Sequence, residues 1–230
     1  MHFRPNTSDS FIFTEVVTKN EYNLIETFDI QDLVLDIGSH IGSFGYLTIN
    51  KGCNTYYAFE ADKQTYDVLV GNMSIYGERA HCFNCAVWRS DIEVDSLFYS
   101  GYLDNGWNPA GGNVLAQTGD SKVRALKFDS IIDQITNNEQ KRIKLLKIDC
   151  EGSEYPILYT SKKLHLIDII YMEYHNLNNA PDFCKVDGFK DYSGNELISF
   201  LESNGFKLVY NKPTHIHHGM QVGLAKLTRF

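Results

Sequence analysis

A chain of 230 residues with 43% hydrophobic side chains can bury one substantial core but is short for two, so a single domain over residues 1–230 is expected. The formal charge is −8 and the 21 Lys and Arg are scattered, which leaves no basic face for a phosphate backbone and excludes nucleic acid as the expected partner. No apolar run approaches the ~18 residues of a membrane span, and MHFRPNTSDS has no apolar core of signal type, so the expected location is cytoplasmic.

Residues 1–30 read as a lead-in segment. LVLDI (33–37), TYYAFE (55–60), HCFNCAVW (81–88), IKLLKID (143–149) and IDIIYMEY (167–174) are short runs rich in β-branched and aromatic residues, and they read as strands. Helix-like stretches lie between them at Ser43 to Asn50, Lys63 to Tyr76, Phe128 to Thr136 and Glu154 to Thr160, with Asp62 as an N-cap. Strands that are apolar on both faces and alternate with helices predict an α/β fold with a mostly parallel, doubly wound sheet. Residues 97–126, around DNGWNPAGGN, break the rhythm and read as a hairpin with a long loop near the active site. A helix (Glu196 to Ser203) and two strands (Phe206 to Tyr210 and Gln221 to Lys226) predict an antiparallel pair at the C-terminus. The five cysteines are odd in number and sit mostly in apolar runs, so they read as reduced thiols, and Cys82 and Cys85 read as small strand residues rather than a redox pair.

The stretch VLDIGSHIGSFG places Gly38 and Gly42 directly after the first strand, at the edge where doubly wound sheets bind ligands. The glycines permit a tight turn and a close ligand approach. A dinucleotide site would show GxGxxG; here the spacing is Gly38-Ser-His-Ile-Gly42, with the carboxylate of Asp36 two residues ahead. Glu60 ends the second strand 22 residues after Gly38, the distance at which an acidic residue grips a ribose hydroxyl. A carboxylate ahead of the turn favours a cationic group over a phosphate, which suits the amino acid and sulfonium parts of S-adenosylmethionine. Further on, LLKIDCEGSEYPIL and IIYMEYHN bring Asp149 with Glu151, and Glu173 with His175, to the same sheet edge, since side chains two apart on a strand share a face.

The run DIGSHIG, then AFEAD, NCAVW, LKIDCEGSEYPIL and MEYH, resembles the FkbM-type S-adenosylmethionine-dependent methyltransferases in order and spacing over nearly the whole chain. The resemblance implies a Rossmann-like class I methyltransferase sheet and methyl transfer to a hydroxyl of a sugar, glycan, lipid or polyketide-type small molecule. It implies donor contacts from Asp36, Gly38, Ser39 and Gly42 for the methionine part and Glu60 with Ala61 for the ribose. Asn84, Ala86 and Val87 would then lie near the adenine, with Asp149, Glu151 and Glu154 on the signature after the fourth strand. His40 departs from the family, which more often has Asn there.

The expected chemistry is in-line displacement on the sulfonium methyl, with His175 or Asp149 as base and Glu173 orienting the histidine. Glu151, Trp107 and Asn108 are the expected acceptor-side residues. No metal is expected. The alternatives are a Mg²⁺-dependent enzyme of the same fold, using Asp149, Glu173 and Asn176, and a non-catalytic module that binds the donor. His215, His217 and His218 read as a solvated turn or rim, and Arg4 pairs with either an acidic substrate or a surface carboxylate.

Overall fold

The computed structural model describes residues 1–100, 102–103, 106–107, 114–115, 121–177, 179–217 and 220–230, except for the side chains of 102–103, 106–107, 214–217 and 220. The short helix α1 (Asp9–Phe13) and a π-turn (Thr14–Thr18) precede a run of strands and helices. That run is β1 (Leu33–Ile37), α2 (Ser43–Asn50), β2 (Thr55–Glu60), α3 (Lys63–Met73), β3 (Ala80–Asn84) and β4 (Ala86–Trp88). The arm follows as β5 (Ser96–Tyr99), β6 (Tyr102–Leu103), β7 (Gly106–Trp107) and β8 (Ser121–Lys127). The chain closes with α4 (Phe128–Ile135), β9 (Ile143–Ile148), α5 (Glu154–Tyr159), β10 (Ile167–His175), α6 (Gly194–Ser203), β11 (Phe206–His217) and β12 (Met220–Arg229).

Seven strands form the main sheet in the order β11-β12-β10-β9-β1-β2-β3. β3, β2, β1, β9 and β10 run parallel, and β12 is antiparallel to both β10 and β11. The expected Rossmann-like sheet with an antiparallel C-terminal pair is therefore present. The order of connection reverses between β1 and β9, which makes the carboxyl ends of these two strands the switch point where a crevice opens.

The apolar runs are explained by burial on two sides. Leu33, Leu35 and Ile37 of β1 join a core with Phe128, Ile132, Leu158 and Leu201 on the face covered by α4, α5 and α6. Val34 joins Phe44, Ile49, Leu69 and Met73 on the face covered by α2 and α3. With both faces covered, both are predominantly apolar.

Three elements differ from the sequence reading by more than a residue or two at their ends. HCFNCAVW is two strands, because the chain leaves the main sheet after Asn84 and Ala86–Trp88 pairs instead with β8 in a small sheet of order β4-β8-β5. There Ala86 and Trp88 pack with Leu97, Tyr99 and Val123 in a third core. α3 stops at Met73 and continues as a 3₁₀ turn over Ser74–Arg79, in which Gly77 takes φ 55°, ψ −131°. The C-terminal ribbon is longer than expected at both ends. β5 pairs antiparallel with β8, which brings Leu97 opposite Val123. Asp62 caps α3 by accepting from the Thr65 N–H at 2.8 Å, and all five cysteines are free thiols. Among the described residues no helix is long and apolar enough to cross a membrane.

Candidate active site

The turn after β1 is built from left-handed backbone: Gly38 at φ 75°, His40 at φ 50° and Gly42 at φ 90°. The N–H groups of Gly38 and Ser39 both donate to the Phe59 carbonyl, at 3.0 and 3.1 Å, which locks the turn to the end of β2. The need for glycine is internal. A Cβ on Gly38 would lie 1.8 Å from the Asp149 carbonyl oxygen where the chain leaves β9, and one on Gly42 would meet Met73 and Leu69 of α3 at 2.8 and 2.9 Å.

Around this turn lies a cleft of about 330 Å³. Gly38, Ser39 and His40 form one wall, with Glu60 and Ala61 from the end of β2 beside them. Phe59, Cys85, Ala86 and Val87 supply an apolar side. The N-terminal segment covers the cleft with Phe11, Val16, Glu21 and Tyr22, and the arm reaches it with Tyr99 and Val114. Glu60 is fixed by two backbone donors, with Oε2 accepting from the His40 N–H at 2.9 Å and Oε1 from the Asp62 N–H at 2.8 Å. Burial pushes its carboxyl up to about 7. The Ser43 hydroxyl, at the first turn of α2, is buried on the cleft wall with no hydrogen-bond partner among the described residues.

Three expected donor contacts are absent from the wall. Asp36 is 0% exposed beneath the floor, where its carboxylate takes a hydrogen bond from Tyr56 and pairs with Lys147 at 3.3 Å. It lies one residue before the end of β1, and its pairing with Tyr56 and Lys147 turns the carboxylate away from the crevice. Gly42 also lies off the wall, behind α2 and α3 packing. Asn84 turns its amide back to the Glu60 and Ala61 carbonyls at 2.9 and 3.0 Å, and so shapes the strand end rather than touching the cleft.

The far end of the cleft is acidic. β9 stops at Ile148, so Asp149 and Glu151 are not strand neighbours on one face. They converge because Glu151 adopts φ 55° and Gly152 φ 99°, a turn that swings the Glu151 carboxylate toward β10. Asp149, Glu151 and His175 offer ligating atoms that all lie within 4.8 Å of one another. His175 and Glu173 share a face of β10, as expected, and both line the cleft. The imidazole, however, is held by Glu154 and not by Glu173. His175 Nδ1 lies 3.2 Å from Glu154 Oε1, which also accepts from the Cys150 N–H at 2.8 Å, while Nε2 faces Glu151 at 3.4 Å.

Burial alone would lower the His175 pKa, but Glu151 and Glu154 outweigh it and hold the imidazole well above its ordinary range. Burial likewise pushes Glu151 up to about 7, and raises Glu173 well above the usual carboxylate range with help from Asp149.

Sequence reasoning missed three participants. Lys147 is a cation inside the apolar run IKLLKID, 3.5 Å from Asp149, and that interruption of the pattern was the available signal. Glu154 was visible in the signature but without a role. The cover made by the N-terminal segment had no sequence signal. Arg4 forks onto Asp9 at 2.8 and 2.9 Å and donates to Thr65 at 2.8 Å, and His40 Nε2 approaches the same Asp9 at 3.3 Å. Arg4 is thereby spent on an internal carboxylate. Tyr22 donates to Asp149 Oδ2 at 3.3 Å. Of the expected acceptor residues, only Glu151 is in view: the Trp107 side chain and the whole of Asn108 lie outside the described residues, as do His218 and the side chains of His215 and His217.

The family model of the FkbM methyltransferase domain matches residues 36–208, from the glycine turn into the C-terminal ribbon. The chain belongs to the FkbM methyltransferase family. It is thus an S-adenosylmethionine-dependent methyltransferase. It is 25% identical over 224 residues to Methyltransferase 1 of Beauveria bassiana (strain ARSEF 2860), covering 88% of this chain and 83% of that one. Among solved structures it is similar in fold to M. capricolum TrmK, determined with S-adenosyl-homocysteine, at a TM-score of 0.50 and 11% identity over 92% of this chain and 67% of that one. This FkbM-family protein therefore carries its matched segment on both walls of the cleft.

Proposed function

We propose that this methyltransferase acts on oxygen, moving the methyl group of S-adenosylmethionine to a hydroxyl of a small molecule, sugar, glycan, lipid or polyketide-type product. The donor supplies an electrophilic methyl on a sulfonium. The residues present fit it: Glu60 offers a carboxylate already aimed by two backbone N–H groups, the orphaned Ser43 hydroxyl faces the same space, and Ala86 and Val87 offer a flat apolar side. The observation that carries the reading is the continuity of this donor-shaped wall with the acidic end formed by Asp149, Glu151 and His175.

A hydroxyl held at that end attacks with an oxygen lone pair along the methyl–sulfur axis. The O–CH₃ bond forms, the S–CH₃ bond breaks with its electron pair left on sulfur, and the hydroxyl proton is lost to the acidic end of the cleft. Alignment of two bound reactants is worth roughly 7–11 kcal/mol, so holding them in line is the main task of the protein. Calorimetry with S-adenosylhomocysteine tests the donor half. Wild type should bind one equivalent, and Glu60→Ala should bind at least about tenfold more weakly, because charge-assisted hydrogen bonds contribute about 1.5–3 kcal/mol each. No heat from wild type, or equal binding by the variant, overturns it. Methyl transfer from labelled donor to hydroxyl-bearing acceptors tests the oxygen half, and label found only on nitrogen or carbon would sink it.

A further inference from the structure

We propose that Asp149, Glu151 and His175 form a binding site for a divalent first-row cation such as Mn²⁺ at the acceptor end of the cleft; only the role of that ion rests on the methyltransferase reading. Two oxygens and one nitrogen that share an ion, each about 2.1 Å from it, stand roughly 3.0–3.4 Å apart at neighbouring positions. His175 Nε2 and Glu151 Oε2 are 3.4 Å apart, wide of the ~2.9 Å at which an N–H···O bond settles. All three groups keep their ligating atoms within 4.8 Å, so small side-chain rotations bring them to one centre.

The surroundings orient each ligand. Glu154 takes the Nδ1 side of His175 at 3.2 Å and thereby points Nε2 at the trio, the arrangement in which a carboxylate supports a metal-bound imidazole. Tyr22 at 3.3 Å and Lys147 at 3.5 Å hold Oδ2 of Asp149 and so fix the orientation of its carboxylate. Side-chain exposure falls from 25% for Asp149 through 15% for Glu151 to 3% for His175, so the open side of the trio is the cleft. A separate observation points to a ligand: the Ser153 hydroxyl, in a residue 2% exposed on the same wall, has no hydrogen-bond partner among the described residues, and neither has Oε2 of the fully buried Glu154. The imidazole favours Mn²⁺, Fe²⁺ or Zn²⁺ over Mg²⁺ or Ca²⁺, which prefer all-oxygen shells. An ion there would act as a Lewis acid toward an acceptor oxygen entering from the cleft.

The test is a titration of the full chain, stripped with chelator and without donor, with Mn²⁺, the free ion being followed by electron paramagnetic resonance. One Mn²⁺ per chain is expected, weakened at least tenfold by Glu151→Gln and by His175→Gln, and about 10- to 100-fold by Glu154→Gln. S-adenosylhomocysteine calorimetry on the same samples reports whether each variant keeps its fold. Retained nucleoside binding with lost Mn²⁺ supports the site. Wild type that binds no Mn²⁺, or variants that fold and bind it as wild type does, overturns the site. Failure of wild type to bind S-adenosylhomocysteine would sink the donor reading alone, since the Mn²⁺ titration is read without it.

Discussion

The Lys147 ammonium donates to the Gly38 carbonyl at 2.6 Å, tying the carboxyl end of β9 to the turn that follows β1. The same nitrogen lies 3.3 Å from Asp36 and 3.5 Å from Asp149, in a residue 4% exposed. Burial alone would lower its pKa, but Asp36 and Asp149 outweigh that and keep the ammonium charged. One cation thus compensates a carboxylate under the floor of the cleft and another at its edge.

Removing one partner of a buried pair strands the other, at a cost of about 3–5 kcal/mol. Lys147→Met should therefore destabilise the protein by about that much in urea unfolding. Asp36→Asn in the same chain removes the stranded charge, so the double variant should lose clearly less than the two single losses added together. Simple additivity would show that Lys147 and Asp36 are not energetically coupled.

Gly38→Ala probes the close approach of the β1 turn to the exit of β9. The added Cβ falls 1.8 Å from the Asp149 carbonyl oxygen, a backbone atom that cannot rotate away, at a φ of 75° where an L residue is already strained. A loss above about 4 kcal/mol and a fall in Tm of roughly 10 °C or more are expected. A variant that melts within a few degrees of wild type would show that the turn can move.

The N-terminal cover is held by an ion pair whose pH dependence has a definite sign. Burial alone would raise the pKa of Asp9, but hydrogen bonds from His40 and Arg4 outweigh it and hold the carboxyl well below the usual range. Its folded pKa is below its unfolded one, so its stabilisation is fully present above about pH 4 and is lost as pH falls below that. Arg4→Ala should cost about 3 kcal/mol at neutral pH, the low end for a buried pair since Arg4 is partly exposed, and should flatten the acid limb of Tm against pH. An acid limb as steep as that of wild type would assign it to other carboxylates.

The sheet was legible because burial on two faces leaves a mark in every residue of a strand. LVLDI and TYYAFE read as strands from that alone, with the ends they have in the structure. The site was legible only where a strand delivers it. Glu60, Asp149 and His175 were placed at one sheet edge correctly, but Asp36, two residues earlier than Gly38, faces the floor. The pairing of His175 with Glu154 depends on the left-handed turn at Glu151, which residue spacing does not encode. Arg4 and Thr65 meet across 61 positions, a contact that exists only once the segment ahead of α1 lies against α3. His40 illustrates both levels: its φ of 50° suits the Asn that the family more often has, while its ring contact with Asp9 belongs to the cover of this chain.

Glu60 should make donor binding pH-dependent. Burial pushes its carboxyl up to about 7 despite the two backbone N–H groups, while the nearby Asp62 raises it and Lys147 lowers it. Accepting two ribose hydroxyls requires the ionised form, so below that pH the donor must first displace a proton. Affinity for S-adenosylhomocysteine should be nearly flat above about pH 7.5 and fall by up to about tenfold per unit below about pH 6.5. Glu60→Gln, which has no proton to release, should bind weakly with a flat profile. Calorimetry across this range in buffers of different ionisation enthalpy also counts the protons released. A wild-type profile that stays flat, or a fall of equal slope in Glu60→Gln, would move the titrating group elsewhere and remove Glu60 from the ribose.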